Sequence, residues 1–268
     1  MSGLNVKRID VEGDEFNFVP FGDLHLGNVN CDYERIDKVV GIIKKRQYFW
    51  LGMGDYGDAI IPNDPRFTLE VLDRKYQTPQ DQYKRFEEIA NEISGKCLGL
   101  LEGNHERVHA KHHSHNYLKD VCEDLKVDYL SMDAVVRINF KDYSRSVYDV
   151  YAHHGWTGAR TKGGRINRIH DLDKIFPFFD LYLMGHVHDL GPADSVANLF
   201  VDDELEIREK ISRFVNTGSY LKTYVKGIVS YAEEKTYPPA LLGSPLIKIK
   251  PRFGKATMSW NVEVGTLW

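Results

Sequence analysis

The chain has 268 residues, 42% hydrophobic and 28% charged, so it encodes a globular protein of one α/β domain with additions, or at most two domains. A formal net charge of −4 gives it no overall attraction to the phosphate backbone of a nucleic acid. Three cysteines without paired spacing argue against a disulfide framework or a cysteine-bound zinc, and no stretch has the ~18 apolar residues of a membrane span.

The first predicted strand covers residues 16–21 and runs into Asp23-Leu24-His25. Alternate residues of an extended segment project to the same side, so Asp23 and His25 can reach one metal ion while Leu24 packs the other way. An oxygen and a neutral imidazole suit first-row ions such as Mn²⁺, Fe, Co²⁺ or Zn²⁺. This strand end therefore indicates half of a metal site.

A helix is predicted over residues 33–46, where apolar side chains recur at helical spacing. The basic run Lys44-Lys45-Arg46 falls in its last turn, where cations suit the helix dipole. That run is interpreted as a solvated helix end.

The next strand, residues 48–51, is wholly apolar, as is typical of a strand covered on both faces. It leads into Gly52-Met53-Gly54-Asp55, where the glycines let the backbone bend towards whatever Asp55 binds. One carboxylate can give an oxygen to each of two cations, as metal pairs ~3.5–4 Å apart require. We therefore predict that Asp55 bridges two metal ions.

Residues 61–79 lose clear periodicity and predict an insertion near the site, in the position of a lid, with room for a short helix over 68–75. A helix over 83–93 and a strand over 97–101 follow, and then Gly103-Asn104-His105-Glu106. Asn104 can offer its amide oxygen to the second metal, and His105 is available to act on substrate.

The histidine-rich run 107–115 lacks strand spacing and is interpreted as a solvated loop or helix start rather than as extra metal ligands. A helix over 116–125 is predicted next, followed by an antiparallel strand pair over 134–140 and 147–152. The second strand of the pair is followed directly by His153-His154. His154 is our choice as a ligand of the second metal, although the doubled histidine leaves the assignment between the two open.

Two further segments carry candidate chemistry. Residues 161–170 join two glycines to several cations at a predicted helix start, which fits either a phosphate clamp or a solvated basic turn. The strand 181–184 runs into Gly185-His186-Val187-His188, whose two imidazoles point the same way and can hold both ions.

The motifs occur in a fixed order along the chain. They are Asp23-Leu24-His25, Gly54-Asp55-Tyr56-Gly57-Asp58, Gly103-Asn104-His105-Glu106, His154-Gly155 and Gly185-His186-Val187-His188. Over about residues 16–220 they resemble the calcineurin-like metallophosphoesterase superfamily, whose pattern runs Asp-x-His, Gly-Asp-x-x-Asp, Gly-Asn-His-Asp/Glu, a His often before Gly, and Gly-His-x-His. The resemblance implies an α/β fold, a four-layer αββα sandwich of two mixed sheets flanked by helices. We expect a single domain over 1–268, with a core at about 16–220 and a strand-rich C-terminal addition at about 221–268 that packs on the sandwich.

The resemblance also implies a role for each matched residue. The first metal would be held by Asp23, His25 and His188, the second by Asn104, His154 and His186, with Asp55 shared. His105 would be the catalytic histidine, and Asp58 would orient it. A histidine beside two cations loses its proton easily unless a carboxylate such as Asp58 supports its charged form, so the chemistry of the residues agrees. Two divalent ions are expected, Mn²⁺ first, with Fe, Zn²⁺, Co²⁺ or Ni²⁺ as alternatives.

Three functions compete. The first is hydrolysis of phosphate mono- or diesters by a metal-bound hydroxide, with His105 assisting the leaving group. The second is a DNA or RNA nuclease, which needs a basic track such as 160–170 and 44–46 on one face. The third is a metal-stabilised scaffold without catalysis, against which the pair of Asp58 and His105 argues. We expect a cytoplasmic protein that acts on a phosphoester, small or nucleic acid, without a membrane partner, and the sequence carries no signal of its oligomeric state.

Overall fold

Eleven strands and six α-helices make up the described part of the computed structural model, which covers residues 3–60, 67, 69–143, 146–156, 159, 161–253 and 258–268. The strands are β1 (Asn5–Val11), β2 (Phe16–Phe21), β3 (Phe49–Gly52), β4 (Cys97–Leu100), β5 (Asp133–Phe140), β6 (Ser146–His153), β7 (Leu181–Met184), β8 (Leu190–Val201), β9 (Ile207–Thr217), β10 (Ser244–Phe253) and β11 (Met258–Leu267). The helices are α1 (Tyr33–Arg46), α2 (Pro79–Asn91), α3 (Asn104–His113), α4 (Tyr117–Leu125), α5 (Lys162–Ile175) and the short α6 (Tyr231–Glu234), with a 3₁₀ turn at Ser94–Lys96. Within these ranges no helix combines the length and apolarity needed to cross a bilayer.

The strands form two mixed sheets. One has six strands in the order β1-β5-β6-β7-β9-β8, and the other has five in the order β11-β10-β2-β3-β4. In the second sheet β2, β3 and β4 are parallel, and in the first β6, β7 and β9 are parallel. Parallel neighbours end at the same edge of a sheet, so the loops that follow them come together there.

Three apolar clusters define four layers. The first joins α1, α2 and α4 to the five-stranded sheet through residues such as Ile36, Phe86, Val121 and Trp50. The second lies between the sheets and includes Phe18, Leu51, Ile138, Val150 and Leu183. The third packs α5 on the six-stranded sheet through Ile169, Leu172, Tyr182 and Phe214. Each sheet is thus covered on both faces, and the predicted αββα sandwich is confirmed.

The start of α2 differs from the prediction of residue 83. Thr78 and Asp81 form a capping box, and Pro79 occupies the first turn, where its missing N–H costs nothing. The helix therefore begins four residues earlier, at the proline that the sequence analysis assigned to the insertion.

The described residues of 68–75 do not form the short helix for which the sequence left room. Residues 69–71 form turns, and the backbone around Asp73 pairs with the loop after β2, since Asp73 N–H donates to Gly27 O and Val29 N–H donates to Val71 O. A helix would need these backbone N–H and C=O groups for its own hydrogen bonds. Residues 61–66 and 68 of the predicted insertion lie outside the described residues.

Both ends of the chain also differ from expectation. β1 precedes the first predicted strand and pairs in parallel with β5 at the edge of the six-stranded sheet. At the other end, β10 pairs directly with β2. The C-terminal strands therefore extend the five-stranded sheet rather than packing on a finished sandwich.

Candidate metal centre

The five motifs meet where five strands end. β2, β3 and β4 of one sheet lead to Asp23, Asp55 and Asn104, and β6 and β7 of the other lead to His154 and His186. Most of these side chains are buried, with Asp23, His25, Asp55 and His154 at most 3% exposed. The two sheets therefore supply one shared cluster of carboxylates and imidazoles.

One group of candidate ligands consists of Asp23, His25 and His188. The Nε2 atoms of His25 and His188 are 3.0 Å apart, and His188 Nε2 lies 3.2 Å from Asp23 Oδ1. Two imidazole nitrogens and a carboxylate oxygen that converge in this way suit a first-row divalent cation. These three residues are the ones that the resemblance assigns to the first metal.

A second group consists of Asp55, His154 and His186. His154 Nε2 lies 3.3 Å from Asp55 Oδ2 and 3.1 Å from the amide oxygen of Asn104. Asp55 also belongs to a third group, with His25 and His105. The donor atoms of each group lie within 4.8 Å of one another, so the buried residues can hold a metal ion, with Asp55 common to two groups.

Hydrogen bonds behind the ligands orient the rings. His154 Nδ1 bonds the Met53 carbonyl at 2.7 Å, and His25 Nδ1 bonds Asp58 Oδ1 at 3.1 Å. A carbonyl oxygen only accepts, so His154 carries its proton on Nδ1 and turns Nε2 towards the cluster. Such bonds to the far ring nitrogen are typical of metal-binding histidines.

The structure places Asp58 and His105 differently from the simple pairing that the resemblance implies. His105 Nδ1 bonds the backbone carbonyl of Asp58, whereas the Asp58 carboxylate faces His25 and the amide of Asn28. His105 Nε2 lies 3.9 Å from Asp55 Oδ2. Asp58 thus contacts both histidines, one through its main chain and one through its side chain.

Burial and charge set the protonation of the cluster. Burial lowers the pKa of His25, and it lowers the pKa of His186 to about 4, which keeps both imidazoles neutral. Burial works against the charged form of Asp55, but the positive charge on His154 and His105 holds the pKa of Asp55 well below its ordinary value. Burial lowers the pKa of His154, but the neighbouring Asp55 carboxylate outweighs it and raises that pKa to about 10. Because metal ions bind neutral imidazoles and ionised carboxylates, a metal ion bound to His154 would displace its Nε2 proton.

Five of the candidate ligands have left-handed backbone conformations rather than the extended ones expected from sequence. Asp23, His25, Asp55, His186 and His188 have φ angles between 49° and 63°. Asp and His tolerate this region better than most residues, although it is uncommon outside glycine. The i and i+2 side chains still meet, but through tight bends that aim each one separately.

Glu106 is a supporting residue that the sequence analysis quoted without a role. Its carboxylate accepts the backbone N–H groups of Asp55, Tyr56 and Gly103 at 2.8–2.9 Å and the hydroxyl of Tyr83 at 2.6 Å. The sequence carried a partial signal, because Glu106 lies three residues after Gly103, the position from which a Glu side chain accepts the N-cap N–H at a helix start. Gly103 is required too, since a Cβ there would overlap the Asp55 carboxylate.

We predict that Glu106→Gln lowers the free energy of unfolding by about 1–3 kcal/mol, because an amide NH₂ would face donors and leave buried groups unpaired. Urea denaturation measures the change. Glu88→Gln is the matched control on the exposed side of α2, where the carboxylate pairs with Arg85 and should contribute no more than about 1 kcal/mol. Equal effects of the two substitutions would contradict this role of Glu106.

The remaining candidates are placed outside the cluster or at its margin. His153 Nδ1 accepts the Gly155 N–H, and the ring packs against Trp156, so it is His154 that joins the cluster. The histidine-rich run lies in α3 and the turn after it, and it contributes no candidate metal group among the described residues. Thr161 caps α5, in which Arg165 is buried.

A cavity of about 400 Å³ opens beside the cluster and is lined by His25, Asp55, Asp58, His105, His186 and His188 among others. Arg165 lines the same cavity, so part of the basic segment 160–170 reaches the site. The volume of the cavity lies near the lower end of the ~300–1,000 Å³ usual for small-molecule sites. The cluster is thus accessible to a small ligand.

No family model and no curated protein matches the chain. Among solved structures it is similar to vacuolar protein sorting 29 from Cryptosporidium parvum, at 12% identity and a TM-score of 0.37 over 95% of this chain and 100% of that one. It is also similar to GAP50, the anchor in the inner membrane complex of Plasmodium, at 10% identity and a TM-score of 0.43 over 95% of this chain and 89% of that one.

Proposed function

We propose that the chain is a calcineurin-like metallophosphoesterase that hydrolyses phosphate mono- or diesters at a binuclear metal centre. One observation supports this most directly: members of the candidate metal groups line the same cavity as His105. They are His25, Asp55, His186 and His188. A site built only to hold a metal for stability does not require an accessible cavity or a histidine placed beside it. The scaffold alternative is therefore the weaker one.

The ligands divide between two positions in this proposal. Asp23, His25 and His188 hold one ion, Asn104, His154 and His186 hold the other, and Asp55 lies between them. Mn²⁺ is the first choice, with Fe, Zn²⁺, Co²⁺ or Ni²⁺ as alternatives. When bound, two such cations supply an activated water and neutralise the charge on phosphoryl oxygens.

His105 is the proposed general acid. Its Nδ1 proton is donated to the Asp58 carbonyl, which fixes the ring and directs Nε2 towards Asp55 and the cavity. In its charged form the ring can pass the Nε2 proton to the departing oxygen of the ester. Asp58 has two tasks here: its carbonyl orients His105, and its carboxylate orients His25.

The nuclease alternative has less support. The basic run at the end of α1 lies about 20 Å along that 14-residue helix from Asp32, which precedes the helix and pairs with the cavity residue Lys222. The cavity itself is lined by two basic side chains, Arg165 and Lys222, among the described residues. The described residues of the two segments that the sequence suggested do not form a continuous basic track, which a nucleic-acid strand needs.

We predict that chelation abolishes hydrolysis of p-nitrophenyl phosphate and of its bis-ester, and that added Mn²⁺ or a similar ion restores it. Removing the cations takes away both the activated water and the charge that neutralises the phosphoryl oxygens. Circular dichroism of the chelated protein serves as the control for folding. Activity that survives exhaustive chelation and dialysis would overturn the proposed function.

A further inference from the structure

The lining of the cavity is not uniform. Beyond the imidazoles and carboxylates of the metal centre, much of it is apolar. The apolar side chains in the lining include Ile60, Val71, Val187, Leu221, Val229 and Pro238. Apolar surface of this kind is favourable for binding only when an apolar part of the ligand removes it from water.

Half of these side chains come from the segment 221–240, which connects the strand β9 to β10. They are Leu221, Val229 and Pro238, which form an apolar wall. The start of the segment is fixed by a hydrogen bond from Lys222 N–H to Asn30 O. Within the segment, Ser230 Oγ donates to Thr223 O at 2.8 Å. Tyr224 adds a further internal bond from its hydroxyl to Tyr237 O at 2.7 Å. Loops packed in this way by their own side chains present a preformed surface.

The charges in the cavity argue against a ligand with several phosphates. Lys222 already pairs with Asp32 at 3.3 Å, and Glu234 adds a negative charge to the lining. Of the described basic side chains, that leaves Arg165 for an anion beyond the one at the metal centre. Among the described residues, a polyphosphate or a nucleic-acid strand would meet too little positive charge there.

We propose that the cavity selects a phosphoester whose organic part is a compact, uncharged and largely apolar group, seated against the 221–240 wall while its phosphate faces the metal centre. This inference rests on the proposed function and names the substrate class of that same site. It separates small apolar esters from nucleotides and nucleic acids, which the sequence left open.

Binding to the Mn²⁺-loaded protein tests the proposal without turnover. Phenylphosphonate and methylphosphonate present the same phosphonate group but differ in their apolar part. We expect phenylphosphonate to bind about tenfold more tightly or better by isothermal titration calorimetry, on the scale of discrimination by apolar pockets. Equal affinities would overturn this inference alone. If neither compound bound, the proposed function would fail and this inference with it.

Two variants test whether the preference for phenylphosphonate depends on the apolar wall. Val229→Asn places an amide in the apolar wall and should remove most of the preference for the phenyl group, with methylphosphonate affinity unchanged. Leu241→Asn is the matched control, because Leu241 lies just after the same segment, is similarly exposed and does not line the cavity. A preference for phenylphosphonate that survives Val229→Asn would contradict the proposal. So would a short DNA duplex that displaces phenylphosphonate at a lower concentration than methylphosphonate does.

Discussion

Asp55→Asn is expected to lose metal from both positions of the centre. The carboxylate lies among ligands of both groups, with Oδ2 3.3 Å from His154 Nε2, and it belongs to a candidate group with His25 as well. Loss of a supporting hydrogen bond to a ligand typically costs about 10–100-fold in metal affinity, so loss of a shared ligand should cost more than that at each position. Elemental analysis of the Mn²⁺-loaded protein after desalting gives the metal content per chain.

Asp23→Asn provides the comparison, because Asp23 belongs to one candidate group. It should lose one ion and keep the other, whereas Asp55→Asn should lose both. Thermal unfolding of each variant without metal shows whether the fold is intact before metal is counted. Two ions retained by Asp55→Asn would refute the shared ligand.

His105→Ala should retain both metals and lose about 10²–10⁴-fold in rate, the usual contribution of one general acid. The loss should depend on the leaving group. An alkoxide departs poorly and needs a proton most, whereas p-nitrophenolate departs readily and needs one least. We therefore expect a larger defect on an alkyl phosphate than on p-nitrophenyl phosphate, measured as the ratio of kcat/KM values for variant and wild type.

His153→Ala is a suitable control for His105→Ala, because the His153 imidazole is close along the chain to the ligand His154 but belongs to none of the candidate groups. It should leave metal content and the leaving-group dependence unchanged. The competing assignment makes His105 a ligand, as its place in a group with His25 and Asp55 permits. Metal loss in His105→Ala would favour that assignment, and equal defects on both substrates would indicate stabilisation of phosphoryl oxygens instead.

Much of the fold could be predicted from the sequence, because the patterns that specify these elements are local. The apolar positions of α1 recur at helical spacing, and the strand before Asp55 is uniformly apolar, so both elements were predicted within one residue at each end. β1 was missed because it is an edge strand with charged residues along its exposed face, and its partner β5 is distant in the chain. Such pairing depends on tertiary structure rather than on local pattern.

In the site, residue type and spacing indicated which side chains meet but not how they are held. Asp58 could be placed near the histidines, yet only the fold determines that its carbonyl faces His105 and its carboxylate faces His25. The left-handed backbone at Asp23 and Asp55 was equally hidden, because neither position carries the glycine that would signal it.

At the left-handed positions the backbone conformation lowers the stability of the fold, while the side chains supply the candidate metal ligands. A non-glycine residue in this region costs of order 1–3 kcal/mol, and the candidate ligands include five of them. Asp23, His25 and Asp55 are buried, so glycine there would leave a cavity or an unpaired backbone N–H that offsets the gain. At the half-buried His186 and His188, selection for thermal stability alone would favour glycine, and each such gain would remove a candidate ligand. A laboratory evolution campaign that screens this chain for heat resistance without also screening for hydrolysis should accumulate its first inactivating changes here, in variants that fold better than their parent.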